Sequence, residues 1–135
     1  AEAAAKVGGK VIGVDVDQAA IIDGLYGEGM TVTSAMKGLA PTTIDTLFDV
    51  IINGNWANYA GQIANLGLVS GDDASLNYVQ IPVASTQFVD GKFTAEDYAA
   101  LVKAMFEGTL VVSNDISAIP ATTNTTVNDQ GSIKG

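Results

Sequence analysis

The chain has 135 residues, of which 47% are hydrophobic and 16% are charged, and fifteen acidic residues against six lysines give a net charge of −9. This composition is typical of a folded domain, and no apolar run reaches the roughly 20 residues needed to span a bilayer. A chain with this charge and no arginine would be repelled by nucleic acid. Because histidine and cysteine are absent, we expect a protein that is not an enzyme and uses no cofactor or metal.

The first elements of the chain predict an α/β sheet. Residues 1–7 read as the end of a helix that stops at Gly8, so we expect the chain to be part of a longer protein. Residues 10–17 form a short apolar run that ends in carboxylates, which is typical of a buried parallel strand. Residues 18–29 are rich in glycine and small side chains and predict a loop, and residues 30–34 predict a second strand.

The middle of the chain predicts one amphipathic helix followed by strands. The helix begins at Pro41, stops at residues 53–54, and is expected to pack on the sheet through one apolar face made of Ile44, Leu47, Phe48, Ile51 and Ile52. Residues 62–69 and 76–83 have the composition of strands, and the residues 70–73 between them predict a turn.

The clearest helix begins at Thr94, whose hydroxyl can accept a hydrogen bond from the amide of Asp97, and ends at Gly108. Its expected buried face consists of Tyr98, Leu101, Val102, Met105 and Phe106. Residues 109–113 predict a last strand, and the polar residues 114–135 predict a solvated tail or crossover.

Two motifs mark a candidate binding site. Residues 11–18 read Val-Ile-Gly-Val-Asp-Val-Asp-Gln, and residues 31–37 read Thr-Val-Thr-Ser-Ala-Met-Lys. A carboxylate just beyond a parallel strand lies in the crevice where open α/β sheets bind ligands, although such a residue often only caps a turn. The pattern alone leaves both roles open.

These blocks resemble the "GVDxDQ" and "TSxxK" signatures of the basic membrane protein family of ABC transporter substrate-binding lipoproteins. Further similarity lies at residues 54–56, 66–68 and 107–112, so the resemblance extends to about residue 113. It implies a type I periplasmic-binding-protein fold, in which two α/β lobes enclose a purine nucleoside or related solute. Residues 1–113 would be a partial C-terminal lobe with a mainly parallel sheet, helices on both faces, and residues 11–14 as a central strand.

The resemblance also implies the site residues. Asp15 would accept hydrogen bonds from both vicinal hydroxyls of a ribose, and Lys37 would donate to sugar or base oxygens from the same edge of the sheet. Asp17 and Gln18 match the same motif and rank below Asp15, because Asp17 shares its face only if the strand continues that far. The aromatic residues Trp56, Tyr59 and Tyr26 are expected to serve packing.

The partners expected from the resemblance are the small-molecule ligand, an ABC transporter permease and an N-terminal lobe of the same protein. The protein would be extracytoplasmic, either periplasmic or a lipoprotein anchored to the cell membrane outside this chain. On its own the chain should bind ligand poorly, and it should either self-associate or lie beside the rest of its polypeptide.

Three other interpretations fit parts of the sequence. A ligand-sensing domain of a regulator or receptor would have the same fold. An aspartate-based phosphotransferase would use Asp15 and Asp17 with magnesium, but it would need a hydroxyl at position 19, which is alanine. Residues 24–29 have a glycine spacing that reverses the dinucleotide-binding fingerprint.

Overall fold

A computed structural model describes residues 1–115, 117–119, 121–128 and 131. It is an α/β structure whose helices are α1 (Glu2–Lys6), α2 (Ala19–Tyr26), α3 (Leu39–Leu47) and α4 (Ala95–Phe106), and whose strands are β1 (Val11–Asp15), β2 (Thr31–Lys37) and β3 (Val79–Gln80). A π-helical turn (Phe48–Ile52) continues α3, and short 3₁₀ turns lie at Trp56–Asn58 and Ala74–Leu76.

The three strands form one mixed sheet in the order β1-β2-β3. Strands β1 and β2 are parallel, whereas β3 pairs antiparallel to the end of β2 through Met36 and Lys37. The prediction of an α/β structure is confirmed. The prediction that residues 11–14 form a central strand is wrong within the described part of the chain, because β2 lies between the other two strands and β1 is at the edge.

Glycine terminates α1 as predicted. Gly8 has a φ of +67°, and the amides of Gly8 and Gly9 donate to the carbonyls of Ala5 and Ala4 at 3.2 and 2.8 Å. These are the two bonds of a Schellman motif, which requires a left-handed residue after the helix. The motif turns the chain directly into β1.

Residues 18–29 contain a helix, so the predicted loop is wrong for most of this segment. Two adjacent parallel strands cannot be joined by a tight turn, and α2 forms the crossover between β1 and β2. The carboxylate of Asp23 accepts bonds from the amides of Gly29 and Thr31 at 3.0 and 2.8 Å. The hydroxyl and the amide of Thr31 and the amide of Gly29 together hold the pKa of Asp23 below its usual value.

The helix predicted from Pro41 begins two residues earlier, at Leu39, and runs into the π-helical turn that ends before Asn53. Its apolar side chains do not form the expected packed face. More than half of each accessible surface remains exposed at Ile44, Leu47, Phe48, Ile51 and Ile52. The helix therefore forms as the periodicity predicts, but the described residues do not cover its apolar side.

The helix predicted at Thr94 is confirmed together with its cap. The Thr94 hydroxyl accepts from the amide of Asp97, and the Asp97 carboxylate accepts from the amide of Thr94, which is a capping box. On the predicted face Val102 is buried, Tyr98 and Met105 are half-buried, and Leu101 and Phe106 are exposed. Helix α4 thus packs through the middle of that face.

Several predicted strands do not form in the described residues. Residues 62–69 and 109–113 are irregular, and of residues 76–83 only Val79–Gln80 pairs in the sheet. The turn at residues 70–73 is present, with the Ser70 hydroxyl accepting from the amides of Asp72 and Asp73. A strand needs a continuous series of pairing bonds as well as a suitable composition. Residues 62–69 and 76–83 are joined by the bond from the Tyr78 amide to the Gly67 carbonyl at 3.0 Å, which does not extend into a strand pair.

The described residues bury few apolar side chains. Met30 and Val102 are the buried hydrophobic residues, whereas the fully buried side chains with the largest volumes are Asn77, Thr31 and Ser34. The accessible surface is 10129 Å², whereas a compact monomer of this mass would expose about 6,600 Å². Much of the apolar surface that a core would bury therefore remains in contact with solvent.

The side chain of Asn77, two residues before β3, is hydrogen-bonded to the loop that precedes it in the chain. Its side-chain oxygen accepts from the amides of Val69 and Ser70 at 2.6 and 2.8 Å, and its side-chain nitrogen donates to the carbonyl of Ser70 at 3.0 Å. Gly38 lies directly against this residue, since a Cβ atom at position 38 would be 2.1 Å from the Asn77 carbonyl oxygen. Position 38 therefore requires glycine for steric reasons.

Replacement of Gly38 with alanine is expected to lower the free energy of unfolding by about 1–3 kcal/mol, because backbone atoms must move apart to admit the methyl group. The matched control is Gly24→Ala in α2, where an added Cβ meets no atom within 4 Å. That change is expected to raise the stability by about 0.5–1 kcal/mol. Urea denaturation of both variants measures the contrast, and equal stabilities would contradict the close approach at Gly38.

Candidate functional site

The carboxyl ends of β1 and β2 bring Asp15 and Lys37 together. The parallel register places Asp15 opposite Met36, so the next residue of β2 lies beside the end of β1. The Lys37 Nζ atom is 2.8 Å from Oδ1 of Asp15, and the two side chains are 66% and 56% exposed. The predicted juxtaposition of these two residues at one edge of the sheet is confirmed, while their role in ligand binding stays a prediction.

Asp15 has an unusual backbone conformation. Its φ is +70°, and it is the only non-glycine residue with positive φ among those that the structure describes. The amide of Val16 donates to the carbonyl of Val14 at 2.9 Å, so the three residues form a γ-turn centred on Asp15. A γ-turn with positive φ at its central residue is rare and strained. Strain of this kind concentrates at functional sites.

Gln18 stabilises the γ-turn through hydrogen bonds to β1 and β2. Its side-chain oxygen accepts from the amide of Val14 at 3.0 Å, and its own amide donates to the Ser34 hydroxyl at 3.1 Å. Ser34 is fully buried, and a Cβ atom at position 13 would be 2.5 Å from its hydroxyl oxygen, which explains the glycine there. The geometry gives Gln18 a positioning role, although its side-chain nitrogen can still donate to a ligand.

Asp17 lies beyond the end of β1, and both of its carboxylate oxygens already accept hydrogen bonds. Oδ1 accepts from the amide of Ala19 at 3.0 Å, at the beginning of α2, and Oδ2 accepts from the Ser85 hydroxyl at 2.7 Å. The carboxylate therefore joins the strand end to a loop 68 residues further along the chain. Ligand contact by Asp17 would compete with these bonds, so Asp15 remains the stronger candidate of the two.

Sequence reasoning did not identify the loop at residues 82–87 as part of this region. Besides the Ser85 contact, the Thr86 and Thr33 hydroxyls lie 2.7 Å apart, and the amide of Gln87 donates to the carbonyl of Val32 at 2.8 Å. The loop is thus held against β2. No local signal predicts this docking, because serine and threonine in an irregular segment are compatible with any exposed loop.

The predicted packing aromatics lie outside the Asp15 region. The Tyr59 hydroxyl donates to Asp49 at 2.8 Å, and Trp56 is exposed. The side chains of Asn53, Asn55 and Tyr59 hold the pKa of Asp49 below its usual value, and the Asp49 carboxylate raises the pKa of Tyr59 in return. This group closes the turn after the π-helical segment.

Two of the alternative interpretations lose support from the geometry. Residues 24–29 form the end of α2 and the turn into the amino end of β2. They therefore lie at the amino ends of the strands, whereas Asp15 lies at the carboxyl ends. The phosphotransferase interpretation loses support because both carboxylate oxygens of Asp17 already accept hydrogen bonds, from the Ala19 amide and the Ser85 hydroxyl, and the carboxylate of Asp15 is paired with Lys37.

Comparisons with known proteins add no identification, since nothing among the protein-family models, the curated proteins or the solved structures matches this chain. In the part of the chain that is described, no helix is both long and apolar enough to cross a membrane. The class of protein that the fold and the geometry define is therefore an α/β protein with a polar site at the carboxyl edge of its parallel strand pair.

Proposed function

We propose that this chain is part of an extracytoplasmic solute-binding protein that binds a nucleoside at the Asp15–Lys37 edge and delivers it to an ABC transporter permease. The observation that carries the proposal is the exposed ion pair at the ends of two adjacent parallel strands, with the carboxylate held on a strained turn. Open α/β sheets bind their ligands at this position. The type I periplasmic-binding-protein fold is part of the proposal.

The chemistry of the pair suits a vicinal diol. The second carboxylate oxygen of Asp15 makes no hydrogen bond within the described residues, and a carboxylate can accept from two hydroxyls at once. Lys37 holds the carboxylate in place and has further N–H groups for a sugar or base oxygen. Many sugars supply two adjacent hydroxyl donors, and the family resemblance selects a ribonucleoside, with its ribose, from among them.

The site on this chain is open, so it offers one wall of a binding cleft. Both side chains of the ion pair are more than half exposed, and an exposed polar contact contributes little affinity because water competes for the same groups. A second lobe that closes over the ligand would remove this competition. We therefore expect weak binding to the chain alone, and the protein acts in binding and delivery rather than catalysis.

The proposal is tested by titrating the ¹⁵N-labelled chain with adenosine and with 2′,3′-dideoxyadenosine while recording amide chemical shifts. Adenosine is expected to shift the amides of Val14, Val16 and Lys37 in fast exchange at millimolar concentration. The dideoxy compound keeps the base but lacks both hydroxyls, so its effect at these amides should be several-fold smaller.

The matched control is Asp72→Asn, which removes the carboxylate of another exposed ion pair, with Lys103 at 3.2 Å. This variant should keep the full adenosine response. Equal responses to the two nucleosides, or no shift near Asp15 with either, would refute recognition of the ribose at this edge.

A further inference from the structure

A cavity lies between α3 and the 3₁₀ turn at Ala74–Leu76, and it is separate from the Asp15–Lys37 edge. Its volume is about 460 Å³, within the range of small-molecule sites. Five of its lining residues are apolar, namely Ala40, Pro41, Ile44, Val69 and Leu76. Such a lining favours a ligand with an apolar body.

The polar side of this cavity is acidic. Asp45 lines it together with Ser75, and the Ser75 hydroxyl already donates to Asp73 at 2.6 Å. The Tyr78 hydroxyl donates to Oδ2 of Asp45 at 2.9 Å, and this bond raises the pKa of Tyr78. Oδ1 of Asp45 makes no hydrogen bond to any described residue and remains available to a ligand.

Among the residues that the structure describes, no lysine forms an ion pair with Asp45. The residues from 38 to 91 contain five aspartates and no lysine or arginine. Each ion pair among the described residues involves a different carboxylate, on Glu2, Asp15, Asp72 or Glu107. A carboxylate at the rim of an apolar cavity, in a negatively charged part of the chain, is complementary to a ligand with a positive charge.

We propose that this cavity binds a small organic ammonium compound, with the apolar body between α3 and Leu76 and the ammonium group against Asp45. The recognition is non-covalent and needs no closing lobe, because both walls belong to this chain. It is independent of nucleoside binding at the Asp15–Lys37 edge.

Three indole probes of similar shape and different charge test the proposal: tryptamine, which is cationic, tryptophol, which is neutral, and indole-3-acetate, which is anionic. Amide shifts of the ¹⁵N-labelled chain should locate tryptamine at Ala40, Val69 and Leu76. Its affinity should exceed that of tryptophol by roughly two- to fivefold at low salt, as for one exposed charge pair, and indole-3-acetate should bind most weakly.

The charge dependence has two controls. Asp45→Asn keeps an acceptor for Tyr78 and should reduce the tryptamine-to-tryptophol ratio to about one, whereas Asp90→Asn removes an exposed carboxylate that does not line the cavity and should leave the ratio unchanged. In the unmodified chain, added salt should lower the tryptamine affinity and spare tryptophol.

Equal binding of the three probes, absence of a salt effect, or shifts at residues remote from the cavity would overturn the proposal. The salt experiment needs no variant, so it decides even if Asp45→Asn does not fold. Since the probes contain no ribose and adenosine carries no ammonium group, failure at one site is distinguishable from failure at the other.

Discussion

Replacement of Asp15 with glycine is expected to give a more stable chain than replacement with alanine, and both changes are expected to abolish the adenosine-dependent shifts. The φ of +70° at this position costs a side-chain-bearing residue about 1 kcal/mol that glycine does not incur. Both variants lose the exposed ion pair with Lys37 equally. The difference between them therefore reports the backbone strain less the unfolded-state advantage of alanine over glycine, and Gly24→Ala measures that advantage at an unstrained position.

The order of the two variants is opposite to that at an ordinary position, where alanine is favoured because glycine has more freedom in the unfolded state. Gly24→Ala provides that ordinary comparison within the same chain. Urea denaturation measures the stabilities, and the adenosine titration measures function.

In a closed, two-lobed site the loss of the Asp15 carboxylate should weaken nucleoside binding by about 2–4 kcal/mol.

If Asp15→Gly is more stable than Asp15→Ala and does not bind adenosine, the strained aspartate is retained for its carboxylate and not for the fold. This is the usual relation between stability and function at a binding site. If Asp15→Ala exceeds Asp15→Gly in stability by as much as Gly24→Ala exceeds the unmodified chain, the turn is not strained. If either variant still binds adenosine through the same amides, Asp15 is not part of the site.

Local signals predicted the elements that depend on local interactions. The helix end at Gly8 and the capping box of Thr94 and Asp97 each consist of bonds between residues within five positions of one another, and both are present. Helix α2 was missed because it is short, contains Gly24 and is followed by Gly27 and Gly29. Its formation follows from the parallel pairing of β1 and β2, which is not a local property.

The candidate site divides in the same way. The meeting of Asp15 and Lys37 was expected from the family resemblance. The structure produces it because β2 continues to Lys37 in parallel with β1, which brings the two carboxyl-end side chains together. The contact between Asp17 and Ser85 was not expected, because it joins residues 68 positions apart through an irregular loop. The γ-turn at Asp15 also has no signal in the residue types, since aspartate is compatible with several turn conformations.

The exposed apolar surface leads to a prediction about the chain in solution. The accessible area of 10129 Å² exceeds by about half the value expected for a compact monomer of this mass. A stable interface buries about 1,200–2,000 Å² in total, which a chain with this much exposed apolar side-chain surface can supply. The π-helical turn carries three large apolar side chains, Phe48, Ile51 and Ile52, each more than half exposed.

We therefore expect the isolated chain to self-associate through the π-helical turn at micromolar concentration, as measured by sedimentation velocity. The net charge of −9 opposes association between copies, so added salt should strengthen it by screening that repulsion. The double variant Ile51→Ser/Ile52→Ser should weaken the association by removing apolar area from this segment. Its control is Ile63→Ser, at a side chain that is 98% exposed in an irregular segment. A monomer that persists with added salt, or an equal effect of the two sets of substitutions, would show that the π-helical turn does not form the interface.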